Sequence, residues 1–176
     1  TDFVKKSLLP TANLDGIRIV LDCSHGAASH VAPETFRQLG AQVATLFNAP
    51  NGVNINLHCG SQHPEALAAA VVEKRAAVGF AFDGDADRLI AVDEKGAVLT
   101  GDQILTICAA ALKKAGRLAG NLVVRTVMSN CGMGVALQSL GIDSVMTDVG
   151  DRAVLQAMQN RGAVIGGDLI AALHGV

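Results

Sequence analysis

Residues 78–94 read VGFAFDGDADRLIAVDE: an apolar run, then Asp83, Asp85 and Asp87 at every second position, then a second apolar run. Both runs are short and bounded by turn residues, so they are expected to be strands, with the aspartates in the connection between them. Like charges this close repel unless something positive sits among them. Carboxylate oxygens at this spacing point first to a divalent cation.

Outward from this stretch, strands and helices alternate. IRIVLD (17–22) predicts a strand and CSHGAASHVAPETFRQLG (23–40) a helix ending at Gly40. AQVATLF (41–47) is the next strand, NAPNGVNINLHCGSQ (48–62) a Gly/Asn-rich loop, and HPEALAAAVVEKRA (63–76) a helix with Pro64 in its first turn. After a turn at EKG (94–96) the pattern restarts: GDQILTICAAALKKAG (101–116) is helical, NLVVRTV (121–127) a strand, NCGMGVALQSLG (130–141) a helix and DSVMTDV (143–149) a strand. DRAVLQAMQNRG (151–162) is helical and AVIGG (163–167) opens another strand. Such alternation predicts the α/β class. The boundary falls near Leu99 to Asp102, giving one unit over residues 1–99 and a second over 100–176 that stops soon after its last strand.

Composition removes several function classes. The net charge of −2 offers no basic face for nucleic acid, and no Lys/Arg cluster marks a membrane surface. No apolar run reaches the ~18 residues needed to span a bilayer. The first residues, TDFVKKSLLPTANLDG, lack the apolar centre and cleavage site of a signal peptide. A soluble cytoplasmic protein is expected. Cys23, Cys59, Cys108 and Cys131 form no C-x-x-C pair and should be free thiols. His58, Cys59 and His63 lack the second ligand pair of a zinc site. His25 and His30, beside Gly26, read as structural.

Four readings fit the aspartates. An EF-hand loop accommodates Asp83, Asp85, Asp87 and Glu94, but Arg88 occupies the position that needs Gly, and the flanks should be helices. A phosphatase of the haloacid dehalogenase type has Asp-x-Asp after an apolar strand, but on an early strand and with a downstream Lys and further acids. A magnesium loop between strands would let the three Asp side chains converge, with Gly84 and Ala86 adding little bulk and Arg88 free to hold a phosphate oxygen. A solvated acidic turn is the plain alternative.

Several segments in order decide among them. DGDADR after an apolar strand resembles the metal loop of the α-D-phosphohexomutase superfamily. PNGVNINLHCGSQHPEAL before it, and GDQIL, VMSNCGMGVAL and VGDRAVLQAM after it, resemble the phosphoglucosamine mutases, over about Gly16 to Gly167. The resemblance implies two consecutive three-layer α/β/α units with mixed sheets, the second and most of the third of four domains. It also implies interconversion of glucosamine 6-phosphate and glucosamine 1-phosphate through a phosphoserine, towards UDP-N-acetylglucosamine and cell-wall precursors. One Mg²⁺ would be held by Asp83, Asp85 and Asp87, with Arg88 catalytic at the phosphoryl group or sugar hydroxyl.

The same resemblance places Ser129, Asn130, Gly150, Asp151 and Arg152 near the sugar. Helix capping explains Ser129 and Asn130 equally well, and charge compensation at a helix N-terminus explains Asp151. Ala153 stands where these mutases usually have Tyr, and the G-E-x-S-G-H sugar loop is replaced by GGDLIAALHGV (166–176). AASHVAP (27–33) echoes the family's T-A-S-H-N-P serine loop, but its surroundings match a second-domain helix start, so Ser29 is expected to be structural. The serine-bearing first domain and the phosphate-gripping fourth lie outside this sequence. The stretch alone is therefore expected to be inactive, either as part of a mutase or as a truncated, non-catalytic metal-binding relative or interaction module. The expected partners are a phosphosugar and the remaining domains; the resemblance also admits a homodimer.

Overall fold

The computed structural model describes residues 13–167 and 174–175. The chain divides into two compact units, Thr1–Leu99 and Thr100–Val176.

In the first unit, β1 (Arg18–Asp22), α1 (Ala28–Gln38), β2 (Gln42–Leu46), α2 (Glu65–Glu73), β3 (Val78–Phe82), β4 (Leu89–Asp93) and β5 (Val98–Leu99) follow in order. The sheet order is β2-β1-β3-β4-β5. β1 pairs in parallel with β2 and β3, whereas β3–β4 and β4–β5 are antiparallel, so the sheet is mixed. The period-two alternation of the strands sorts the core onto two faces. Val20, Ala81 and Val92 meet Leu67, Ala70 and Val71 of α2 on one side. Ile19, Leu21, Phe80 and Phe82 meet Ala28, Ala32 and Phe36 of α1 on the other, where the Phe36 and Phe80 rings stack 5.8 Å apart.

The helix expected from Cys23 begins only at Ala28. Ser24 and His25 take positive φ values of 45° and 51°, a left-handed conformation that no right-handed helix tolerates. These residues form a tight turn at the end of β1. A short 3₁₀ turn at Gly60–Gln62, inside the segment expected to be a plain loop, carries the chain towards α2. The two-residue strand β5 was not expected either; it follows from the Asp93 carboxylate, which accepts the N–H groups of Lys95 and Ala97 and folds the chain back beside β4.

The second unit contains α3 (Gly101–Lys114), β6 (Leu122–Thr126), α4 (Cys131–Ser139), β7 (Asp143–Thr147), α5 (Asp151–Arg161), β8 (Ile165–Gly167) and β9 (His174–Gly175). Its sheet order is β7-β6-β8-β9, parallel except for the β8–β9 pair. Thr100 and Gln103 start α3 with a capping box, each side chain bonding the other's backbone N–H. Leu105, Ala109, Met133 and Leu137 of α3 and α4 cover Val123 and Ile165 on one face. Val154 and Met158 of α5 cover Val124 on the other. Each unit is thus a three-layer α/β/α sandwich. The segment replacing the expected sugar loop, 168–173 with Val176, lies outside the described residues.

Small residues on β3 let α2 lie close to the strand that leads into the aspartates. A Cβ added to Gly79 would stand 2.5 Å from Val71 Cγ2 and 2.8 Å from Leu67 Cδ1. Both contacts are far inside van der Waals distance, so Gly79→Ala should destabilise the first unit by about 1–3 kcal/mol through overpacking. Urea unfolding followed by far-UV circular dichroism measures this, and an unchanged midpoint would contradict the packing described.

Candidate functional site

β3 and β4 pair from Val78↔Asp93 to Phe82↔Leu89, which makes Asp83–Arg88 the connection of an antiparallel hairpin. The sheet order places that connection at the carboxyl end of β3, beside β1. There the chain crosses from one side of β1 to the other, the kind of switch point at whose strand ends open α/β sheets bind ligands. Ala86, with φ 63°, turns the connection back on itself. One carboxylate oxygen from each of Asp83, Asp85 and Asp87 lies within 4.8 Å of the others. Asp83 is half-buried and the other two are exposed.

The electrostatics follow from this crowding. Hydrogen bonding with Asp83 pushes the Asp87 carboxyl above its ordinary value, reinforced by lost hydration and by the charges of Asp83 and Asp85. Arg88 relieves part of the repulsion: its backbone N–H donates to Asp83 Oδ1 at 3.1 Å, and its Nε lies 3.8 Å from Asp83 and 3.9 Å from Asp87. One monodentate, half-exposed guanidinium does not neutralise three carboxylates. The donor set, all oxygen and partly open to solvent, fits a hard divalent ion that retains coordination positions for other ligands. Strands on both sides exclude an EF-hand, whose loop joins two helices.

The second unit presents its expected residues at the carboxyl ends of two adjacent parallel strands. Ser129 and Asn130 follow β6, and Gly150, Asp151 and Arg152 follow β7. Asn130 caps α4, its side-chain oxygen accepting the Gly132 N–H at 2.8 Å. Asp151 is the first residue of α5, where a negative charge complements the helix N-terminus. Ser29 is the second residue of α1 and only 4% exposed, a placement that presents no hydroxyl to solvent. His25 Nδ1 accepts the Ala49 N–H, and His58 and His63 meet edge to face at 5.9 Å. Among the described residues, the three aspartates are the group that converges as metal ligands. All four cysteines are free; burial pushes Cys23 up to about 11.

Two contributors escaped the sequence reading. Asp22 is fully buried at the end of β1 and accepts the N–H groups of Ser24 and Gly60, each at 2.9 Å. Its burial raises the carboxyl's pKa, while the Ser24 and Gly60 hydrogen bonds and His25 act in the opposite direction. The one sequence signal was a carboxylate closing a mostly apolar run. Asp102, seen only as part of GDQIL, accepts the Asn130 N–H at 2.8 Å and ties the start of α3 to the turn after β6.

With this geometry in place, the comparisons assign the class. Residues 1–96 match α/β/α domain II of phosphoglucomutase/phosphomannomutase, and residues 100–168 match domain III. The chain belongs to the phosphoglucomutase/phosphomannomutase family and carries those two domains.

Within that family its similar relatives are phosphoglucosamine mutases. The one from Syntrophus aciditrophicus is 61% identical over 166 residues, covering 94% of this chain and 37% of the relative. That from Syntrophobacter fumaroxidans is 53% identical over the same shares. The chain thus spans little more than a third of these relatives' length. Among solved structures, a phosphoglucomutase/phosphomannomutase family protein from Burkholderia thailandensis superposes with a TM-score of 0.76 at 27% identity, covering 87% of this chain and 34% of that one.

The raised Asp87 carboxyl is testable without any ligand. Its folded-state pKa lies above the unfolded value, so as pH falls from neutral Asp87 takes up its proton before an isolated Asp would. The native state then binds more protons than the unfolded one, and this group's contribution favours folding less as pH rises through that window. Carboxyl-detected NMR should show the Asp87 midpoint falling in Asp83→Asn; a midpoint that does not move would remove Asp83 as the cause.

Proposed function

We propose that this chain supplies the cation-holding domain and a sugar-facing domain of a phosphoglucosamine mutase. The observation that carries the reading is the convergence of Asp83, Asp85 and Asp87 within 4.8 Å at the carboxyl end of β3. The identity of 61% to a phosphoglucosamine mutase supports the choice within the family. On this reading the three carboxylates hold one Mg²⁺, which would supply electrostatic stabilisation of charge on phosphoryl oxygens during transfer.

The chain's own residues then divide the work. Asp83, Asp85 and Asp87 act as a fixed, prearranged anionic cup. Arg88, held beside the cup by Asp83 and Asp87 and 48% exposed in its side chain, turns to the phosphosugar and steadies its phosphoryl oxygens as a planar donor. Ser129, Asn130, Gly150, Asp151 and Arg152 bind the sugar phosphate from the carboxyl edge of the second sheet. There Asn130 stands at the N-terminus of α4, whose positive end favours an anion.

The substrates would be glucosamine 6-phosphate and glucosamine 1-phosphate, feeding synthesis of UDP-N-acetylglucosamine and cell-wall precursors in the cytoplasm. On this reading turnover also requires a phosphoserine and domains outside this chain, which spans little more than a third of its relatives' length. No helix among the described residues is long and apolar enough to cross a membrane.

Three outcomes are expected. Titration of the chain with Mn²⁺, followed by water relaxation, should give one weak site that is lost in Asp85→Asn, with thermal stability nearly unchanged because relief of repulsion offsets lost order. Equal Mn²⁺ affinity in parent and variant would sink the assignment.

In a full-length relative carrying this segment, Arg88→Ala should lower kcat by about 10²-fold or more while metal affinity stays nearly constant. Parallel loss of thermal stability and activity would make Arg88 a structural ion pair. The chain alone should not convert glucosamine 6-phosphate when given the sugar bisphosphate and Mg²⁺, and measurable conversion would show that it is catalytically sufficient.

A further inference from the structure

The aspartate connection does not stand free; the turn after β1 grips it. Ala27 N–H donates to the Gly84 carbonyl at 2.9 Å, and Gly26 passes so close that a Cβ there would be driven into the same carbonyl. On its other side Gly84 is flanked by Asn56 and Ile55: a Cβ on Gly84 would stand 2.7 Å from Asn56 Nδ2 and 2.8 Å from Ile55 Cδ1. Gly84, between the first two aspartates, is therefore the buried point at which two neighbouring segments fix the connection.

Both of those segments trace back to one side chain. Asp22 Oδ1 holds the Ser24 N–H and Oδ2 holds the Gly60 N–H, bridging the turn after β1 to the end of the 48–60 loop. The Ser24 carbonyl in turn accepts the Asn56 N–H at 2.9 Å. Ser24 and His25 sit in left-handed backbone, unfavourable for residues with a Cβ and held only where surrounding bonds over-determine it. A buried carboxylate that accepts two backbone N–H groups supplies that constraint.

We infer that Asp22 is a positioning residue for the divalent-cation loop, setting the backbone of Gly84, and with it the spacing of Asp83 and Asp85, through the Ser24–Ala27 turn and the Asn56 segment. It touches neither metal ligand nor substrate. The inference rests on the metal reading above but is tested partly without metal.

The experiment compares the parent chain with Asp22→Asn, in which one oxygen becomes a donor facing an N–H group and one of the two bonds is lost. Hydrogen exchange read by NMR should show the Ala27 amide losing protection while the β3–β4 ladder amides keep theirs. Mn²⁺ affinity should fall by about tenfold, the scale at which groups that orient metal ligands act. Should Asp22→Asn not fold, Ala27→Pro carries the test, because Ala27 already has φ −60° while proline removes the N–H that reaches Gly84 and sets its ring against that carbonyl, breaking the grip on the connection. It should weaken Mn²⁺ binding by a similar factor or more while the β3–β4 ladder amides keep their protection. A folded Asp22→Asn, or in its absence Ala27→Pro, with parental Mn²⁺ affinity overturns the inference and leaves the metal reading standing. A parent chain that binds no Mn²⁺ overturns the metal reading and, with it, this role for Asp22.

Discussion

Three carboxylates confined within 4.8 Å must be relieved by protons, a guanidinium or a metal ion, and that constraint organises the first unit. β3 and β4 bring the aspartates into one short connection, the strand order sets it beside the turn after β1, and Arg88 lies across two of the three. The Asp87 carboxyl is raised chiefly by its hydrogen bond with Asp83, then by lost hydration and by the neighbouring charges. Carboxylates crowded in this way cost a fold stability, and such crowding is concentrated at sites that bind charge.

Rigidity comes from backbone rather than from side-chain salt bridges. The ion pairs of Arg88 are long and partly exposed, so they contribute little to holding the connection in place. The grip on Gly84, by contrast, consists of a backbone hydrogen bond and close packing under a buried carboxylate. The second unit uses the same economy of parts: Asp102 fixes the turn after β6 by accepting the Asn130 N–H, and Asn130 caps α4.

Much of this was legible in the sequence because the signals were local. VGFAF and LIAVD form the two strands, the aspartates fall between them, and the helices of the second unit lie within the segments expected to be helical. What was not legible depends on distant partners. The helix expected from Cys23 is delayed to Ala28 because Asp22, Phe47 and Gly84 hold residues 24–27 in a turn, and those partners come from three separate segments. Asp22 itself looked like a strand-ending charge, and nothing local announces that it binds Gly60, 38 residues away. Ser129 and Asn130 were expected either to cap a helix or to face a ligand; the structure makes Asn130 the cap, and that role is compatible with the other.

The central claim is that Asp83, Asp85 and Asp87 together hold one divalent cation. Anomalous diffraction from crystals of this chain soaked in Mn²⁺ tests it most directly. A single anomalous peak is expected among the three carboxylates, with oxygen ligands at about 2.1–2.2 Å and water completing the shell. No peak at the triad, or a peak held elsewhere while the triad stays metal-free, would contradict it.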